Sequence, residues 1–177
     1  MFNLDVVGIR NTLREGHSQS LERRRKIALF SSIGLIDFAI ISLYQIGLIR
    51  HLPGIPGKVF DSDKVNASKK AYQMGLPDGT TGAALYAVTL MLASAGGVRK
   101  TGRRPLFTYL LGGAVFAGVG GALQYLYDMA KNQKKACPYC ITGALMHFSM
   151  VPLVIAELRE TRQKTKAISS TAARRTA

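Results

Sequence analysis

Leu106-Phe107-Thr108-Tyr109-Leu110-Leu111-Gly112-Gly113-Ala114-Val115-Phe116-Ala117-Gly118-Val119-Gly120-Gly121-Ala122-Leu123-Gln124-Tyr125-Leu126-Tyr127 contains no charged residue. As a helix rising 1.5 Å per residue it is long enough to cross a hydrocarbon core of about 30 Å. Three further stretches are uncharged or nearly so: Ile27 to Ile49, Thr80 to Val98 and Pro138 to Ala156. The chain therefore reads as an all-α integral membrane protein, a four-transmembrane-helix bundle with spans at about 27–49, 80–98, 106–127 and 138–156. Residues 1–26 form a basic N-terminal segment, 27–158 the membrane domain and 159–177 a basic tail. Within the quoted run, Gly113, Ala117 and Gly121 form one small-residue stripe, and Ala114, Gly118 and Ala122 another. Such stripes let helices approach closely in lipid. Packing within the bundle and dimerisation are both open on this pattern.

The chain carries 24 Lys and Arg against 10 Asp and Glu. A basic excess can mark a nucleic-acid binder, but here the charge follows the loops, and no nucleic-acid partner is expected. With both termini on the cytoplasmic side, that side holds sixteen of the 24 basic residues, including Arg23-Arg24-Arg25-Lys26. The positive-inside rule then sets the orientation. The expected location is a bacterial inner membrane, with membrane lipid as surroundings and the loop Arg50–Asp78 on the periplasmic side. The first apolar run is too long for a removable signal peptide, and no small-x-small cleavage site follows it. Phe2, Val6, Ile9 and Leu13 recur at helical spacing, so residues 1–26 hold either a short interfacial helix or a frayed tail. The tail is expected to be helical near the membrane and then disordered.

The outer loop opens with Leu52-Pro53-Gly54-Ile55-Pro56-Gly57, an extended turn by its prolines and glycines. A short periplasmic helix over Asp61–Tyr72 follows, capped by Asp61 or Ser62. Asn66-Ala67-Ser68 matches a glycosylation acceptor pattern, which is weak because it arises often by chance.

The only two cysteines lie together as Cys137-Pro138-Tyr139-Cys140 at the start of the last apolar run. Two thiols so spaced can close a disulfide. Pro138 suits the first helical position and places Cys137 at the cap, where the helix start favours thiolate. Lys131, Lys134 and Lys135 add positive charge nearby in sequence. Cys137 is the candidate nucleophile, with Cys140 one turn deeper; a structural disulfide or two inert thiols remain the alternative. No metal is expected, since two cysteines make half of a tetrahedral zinc set and no paired histidines complete it. Cys140, Ala144, His147 and Val151 share one face of the last span. Asp37 sits near the middle of the first, and ionisable groups at that depth are paired or functional. Asp37 and His147 are expected to meet inside the bundle, holding helices in register or carrying a proton. Tyr44, Gln45, Tyr86, Gln124 and Tyr125 are candidate lining for a pocket near the outer leaflet.

Taken in order, these features resemble the vitamin K epoxide reductase family in its bacterial form. The resemblance covers roughly residues 27–158. It rests on Leu35-Ile36-Asp37-Phe38 through Ser42-Leu43-Tyr44-Gln45 to His51-Leu52-Pro53, on Ala71-Tyr72-Gln73-Met74-Gly75-Leu76-Pro77-Asp78-Gly79 with Gly82 and Tyr86, on Leu126-Tyr127-Asp128, and on the CxxC opening the last span. It implies a four-helix bundle that passes electrons between thiols and a quinone, ubiquinone or menaquinone. Cys137 and Cys140 would be the redox centre, with Cys140 facing the quinone. Tyr86, Asp78, His147 and Tyr125 become candidate cofactor-binding residues, and Asp37 with His147 a structural or proton-carrying pair. Family members normally carry a second cysteine pair in the outer loop that serves a thioredoxin-like partner. This loop has none; Ala67 stands about where one is expected, and Ala144 replaces a tyrosine of the animal enzymes. The resemblance thus leaves two functions open. One is a thiol:quinone oxidoreductase with a single CPYC disulfide, served by a periplasmic thioredoxin-like protein or another thiol. The other is a non-catalytic accessory subunit of a larger membrane complex. A small transporter is the weaker third.

Overall fold

The computed structural model describes residues 6–55, 58–95 and 105–176, and among these every regular element is helical. Helix α1 is Val6–Glu15, α2 Gln19–Gln45, α3 Ser62–Asn66, α4 Asp78–Ala95, α5 Pro105–Asp128 and α6 Pro138–Thr176. A 3-10 segment, Lys69–Gly75, precedes α4, and a π-helical turn, Met129–Gln133, extends α5. The four long helices form a closed ring: α2 packs on α4 and α6, and α5 packs on α4 and α6. Three helical stretches are long and apolar enough to cross a membrane: Gln19–Gln45, Pro105–Gln133 and Pro138–Ala167. The described part of α4 is 18 residues long and opens with Asp78-Gly79-Thr80-Thr81, which dilutes its apolar run. Residues 96–98 of the expected second span lie outside the described residues, as does Phe2 of the N-terminal pattern.

The boundaries differ from the sequence reading where polar residues extend helices. Ser18 caps α2 by accepting from the Leu21 N–H at 3.3 Å, so this helix starts eight residues before the apolar run. It ends at Gln45 with Ile46 as its cap, and the following Gly47, with φ of 81°, makes the left-handed turn that glycine adopts without a side-chain clash. The tail expected to be disordered continues α6 as helix through Thr176. The single outer-loop helix is instead split. Asp61 caps α3 by accepting from the Lys64 N–H at 3.0 Å, and the chain tightens after Asn66 into the 3-10 segment.

Rings seated on glycines bring the helices together. The Phe38 ring of α2 lies against Gly82 of α4 and Gly143 of α6. Tyr86 of α4 covers Gly34 of α2, and His147 of α6 covers Gly118 of α5. A methyl at any of these four glycines would overlap the ring, so the small residues of α5 serve, at Gly118, packing within the bundle. The apolar core around these sockets contains Ile27, Tyr86, Ala93, Leu111, Val115, Met150 and Val154.

At the end of the bundle away from the cysteines, Glu157 is fully buried and accepts from Ser20 at 3.0 Å, Arg23 at 2.9 Å and Arg24 at 3.1 Å. Arg24, 2% exposed, also donates to the Leu92 and Ala93 carbonyls and to Thr108. Arg23 pairs further with Glu160. One charge cluster therefore joins α2, α4, α5 and α6.

Candidate functional site

The cysteine end is closed by the segment between α2 and α4. Ala136 donates to the Val59 carbonyl at 2.9 Å and accepts from Asp61 at 3.1 Å, pinning this segment beside the residue before Cys137. Asp63 accepts from the Leu52 N–H and pairs with His51, both at 2.8 Å. Tyr139 donates to the Pro53 carbonyl at 2.7 Å and Tyr125 to the Lys70 carbonyl at 3.0 Å.

Beneath this cover Cys137 caps α6, with its carbonyl accepting from the Ile141 N–H at 3.1 Å. Both cysteines are free thiols and both are buried, Cys137 completely. Two N–H groups point at the Cys137 sulfur: Asn66 Nδ2 at 3.2 Å and the backbone of Cys140 at 3.4 Å. The Cys140 thiol donates at 3.9 Å to Asn66 Oδ1. The Cys137 thiol is held well below the ordinary thiol range, first by its hydrogen bond with Cys140 and then, against the opposing effect of burial, by the Cys140 backbone, Asn66 and Ser62. Of the lysines nearby in sequence, Lys135 donates to the Lys58 carbonyl at 2.6 Å, and Lys131 and Lys134 are exposed.

Cys140 opens onto a cavity of about 200 Å³ to which all four long helices contribute. Phe38, Asp78, Gly118, Tyr125 and His147 are among its walls. Cys140, Ala144 and His147 therefore share this wall, as their spacing predicts, while Val151 packs against the apolar core. Asp78 accepts a hydrogen bond from Gln45, whose Oε1 takes the Gly79 N–H at 2.9 Å. Tyr86 is fully buried outside the cavity lining; its ring stacks on His147 at 4.3 Å and its hydroxyl donates to the Gly143 carbonyl at 2.7 Å. Of the other candidates, Tyr44 and Gln45 bond the outer segment and Gln124 is exposed.

Asp37 and His147 do not pair. The Tyr86 ring lies on His147, and neither Asp37 Oδ2 nor His147 Nδ1 has a hydrogen-bond partner. Ala67 is exposed at the end of α3; the α3 side chains beside Cys137 are Ser62 and Asn66. Asn66, 1% exposed and committed to the sulfurs, is no surface acceptor for a glycan. Its contact with the thiols left no local signal in the sequence.

Helices long and apolar enough to cross a membrane, and a buried pair of free cysteines beside a cavity at one end of the bundle, define a helical membrane protein. A sequence model of the vitamin K epoxide reductase family matches residues 26–155, and the chain belongs to that family. A search of curated proteins returned no match.

Proposed function

We propose that the chain is a membrane thiol:quinone oxidoreductase whose single redox centre is the Cys137–Cys140 couple. The observation that carries this reading is that Cys140 and His147, whose Nδ1 has no hydrogen-bond partner, line one apolar cavity. The cavity is smaller than the roughly 300–1,000 Å³ of pockets that enclose drug-sized ligands. It suits a ring headgroup of ubiquinone or menaquinone with the tail left in lipid. A bound quinone supplies an acceptor for two electrons and two protons. On the protein side, Cys137 and Cys140 lose two protons and two electrons and form an S–S bond. Two substrate thiols then reduce that bond and leave as a disulfide, the first attacking Cys137 while Cys140 departs as thiolate. His147 offers a polar contact at the deep end of the cavity and Tyr125 another near Cys140, with Asp78 beside it. Asp37, outside the lining, is a structural or proton-holding group.

In this reading the four long helices all span, the cysteine end faces the periplasm of a bacterial inner membrane, and both termini are cytoplasmic. The asymmetry of basic residues supports that orientation. The thiol donor is a periplasmic thioredoxin-like protein or a thiol of similar reach, and it meets Cys137 only when the α3 cover lifts. Purified protein in vesicles with quinone and a dithiol donor should form hydroquinone in step with thiol loss. Cys140→Ser and Cys137→Ser should each abolish this, and a double-serine variant that keeps the rate would refute the assignment. Full burial of Cys137 favours one rival, a non-catalytic subunit of a membrane complex. Co-purification in a defined assembly whose function survives Cys137→Ser would select that rival.

A further inference from the structure

Asn66 touches both sulfurs with opposite ends of one amide. Its Nδ2 donates to the Ser62 carbonyl at 2.8 Å and to the Cys137 sulfur at 3.2 Å. A carbonyl oxygen only accepts, so the contact with Ser62 assigns the amide's nitrogen to that side and commits both of its hydrogens. Oδ1 then faces Cys140, whose sulfur can satisfy it only while it carries its proton. Cys137 thus receives the Asn66 amide beside its other donors, while Cys140 meets an acceptor. We propose that Asn66 is the positioning residue of the dithiol, holding the negative charge on Cys137 and the proton on Cys140. The inference rests on the dithiol chemistry proposed above.

The ionisable groups that bear on the two sulfurs are Asp37 of α2, Asp78 of α4, Tyr125 of α5 and Tyr139 of α6. The two aspartates oppose a thiolate when charged, and the two tyrosines are neutral where a thiol titrates, so none of the four draws negative charge to Cys137. The distinction between the cysteines therefore comes from hydrogen-bond polarity, and Asn66 supplies a side-chain donor to one sulfur and an acceptor to the other. In the disulfide no thiol proton remains for Oδ1. The amide then holds α3 less tightly when the centre is oxidised, which is the state an incoming thiol must reach.

The test is the pH midpoint of thiolate ultraviolet absorbance for the reduced full chain in detergent, with Cys137→Ser as the blank. Asn66→Ala removes one hydrogen bond to a charged sulfur and should raise the Cys137 midpoint by about one pH unit or more. Asn66→Asp, of the same shape, should raise it further. Thermal unfolding of each variant reports separately on folding. An unmoved midpoint in folded Asn66→Ala overturns the proposal. A second arm leaves Asn66 intact: in Cys137→Ala, with Cys137→Ala/Cys140→Ala as its blank, Cys140 should titrate no lower than an ordinary thiol, and a lowered Cys140 midpoint also overturns it. These readings need no quinone. Absent turnover with the predicted midpoints would refute the proposed reaction alone, and turnover with unmoved midpoints would refute the role of Asn66 alone.

Discussion

Replacing Glu157 by alanine should be the most damaging single change away from the cysteines. Glu157 is fully buried and takes hydrogen bonds from Ser20, Arg23 and Arg24. Without it Arg24, 2% exposed, loses a buried carboxylate it bonds at 3.1 Å, while its bonds to the neutral oxygens of Leu92, Ala93 and Thr108, at 3.1 to 3.4 Å, remain. Removing one partner of a buried pair typically costs about 3–5 kcal/mol, because the other charge stays desolvated. For a chain of this size, at about 2–4 °C per kcal/mol, the melting temperature should fall by roughly 6–20 °C. The assay is thermal unfolding of purified variants in one detergent, read by helical circular dichroism. Removing both charges, as Arg24→Leu with Glu157→Leu, should recover much of the loss, since an apolar pair of similar volume replaces a buried ion pair at little cost. A Glu157→Ala variant melting within about 2 °C of the parent would refute the reasoning.

Three other perturbations follow from the same geometry. Gly118→Val places its side chain in the His147 ring; the strain should cost about 1–3 kcal/mol and raise the KM for quinone, and an unchanged KM and melting temperature would remove His147 from the cavity wall. Tyr86→Phe removes the 2.7 Å side-chain bond to the Gly143 carbonyl, which keeps its partner within α6, so the change should cost about 0.5–1.5 kcal/mol in thermal unfolding. Because the folded protein depresses the Cys137 thiol, its thiolate stabilises the reduced form above the ordinary thiol range. That contribution is lost as pH falls through the depressed value. Melting curves of reduced protein across this window should show the slope, and Cys137→Ser should not.

The apolar runs predicted helices because a spanning length without charge is a local property, visible in any window. The same holds for the face shared by Cys140, Ala144 and His147, which repeats at helical spacing and reaches one cavity. Other features depend on which distant residue arrives opposite. Arg23 and Arg24 read as loop charges because their partner Glu157 lies more than 130 residues away. Asn66 read as a weak surface motif because α3 folds back over the CPYC segment, 71 residues downstream. The Asp37–His147 pairing failed for the converse reason: two polar groups at similar depth implied contact, while the Tyr86 ring occupies the face of His147. Charge proximity along the chain misled too, since Lys131, Lys134 and Lys135 are near Cys137 in sequence yet two are exposed and one bonds the Lys58 carbonyl.

The separation of Arg24 from Glu157 also orders events during synthesis. A guanidinium is costly to bury before a counter-charge exists, and here the buried carboxylate Glu157 comes on α6. Helix α2 must therefore wait at the polar boundary, its arginine hydrated, until the ribosome has made 133 further residues. The ring of helices locks as a late step, so a protein truncated before Glu157 should have a first helix that never settles to its final depth.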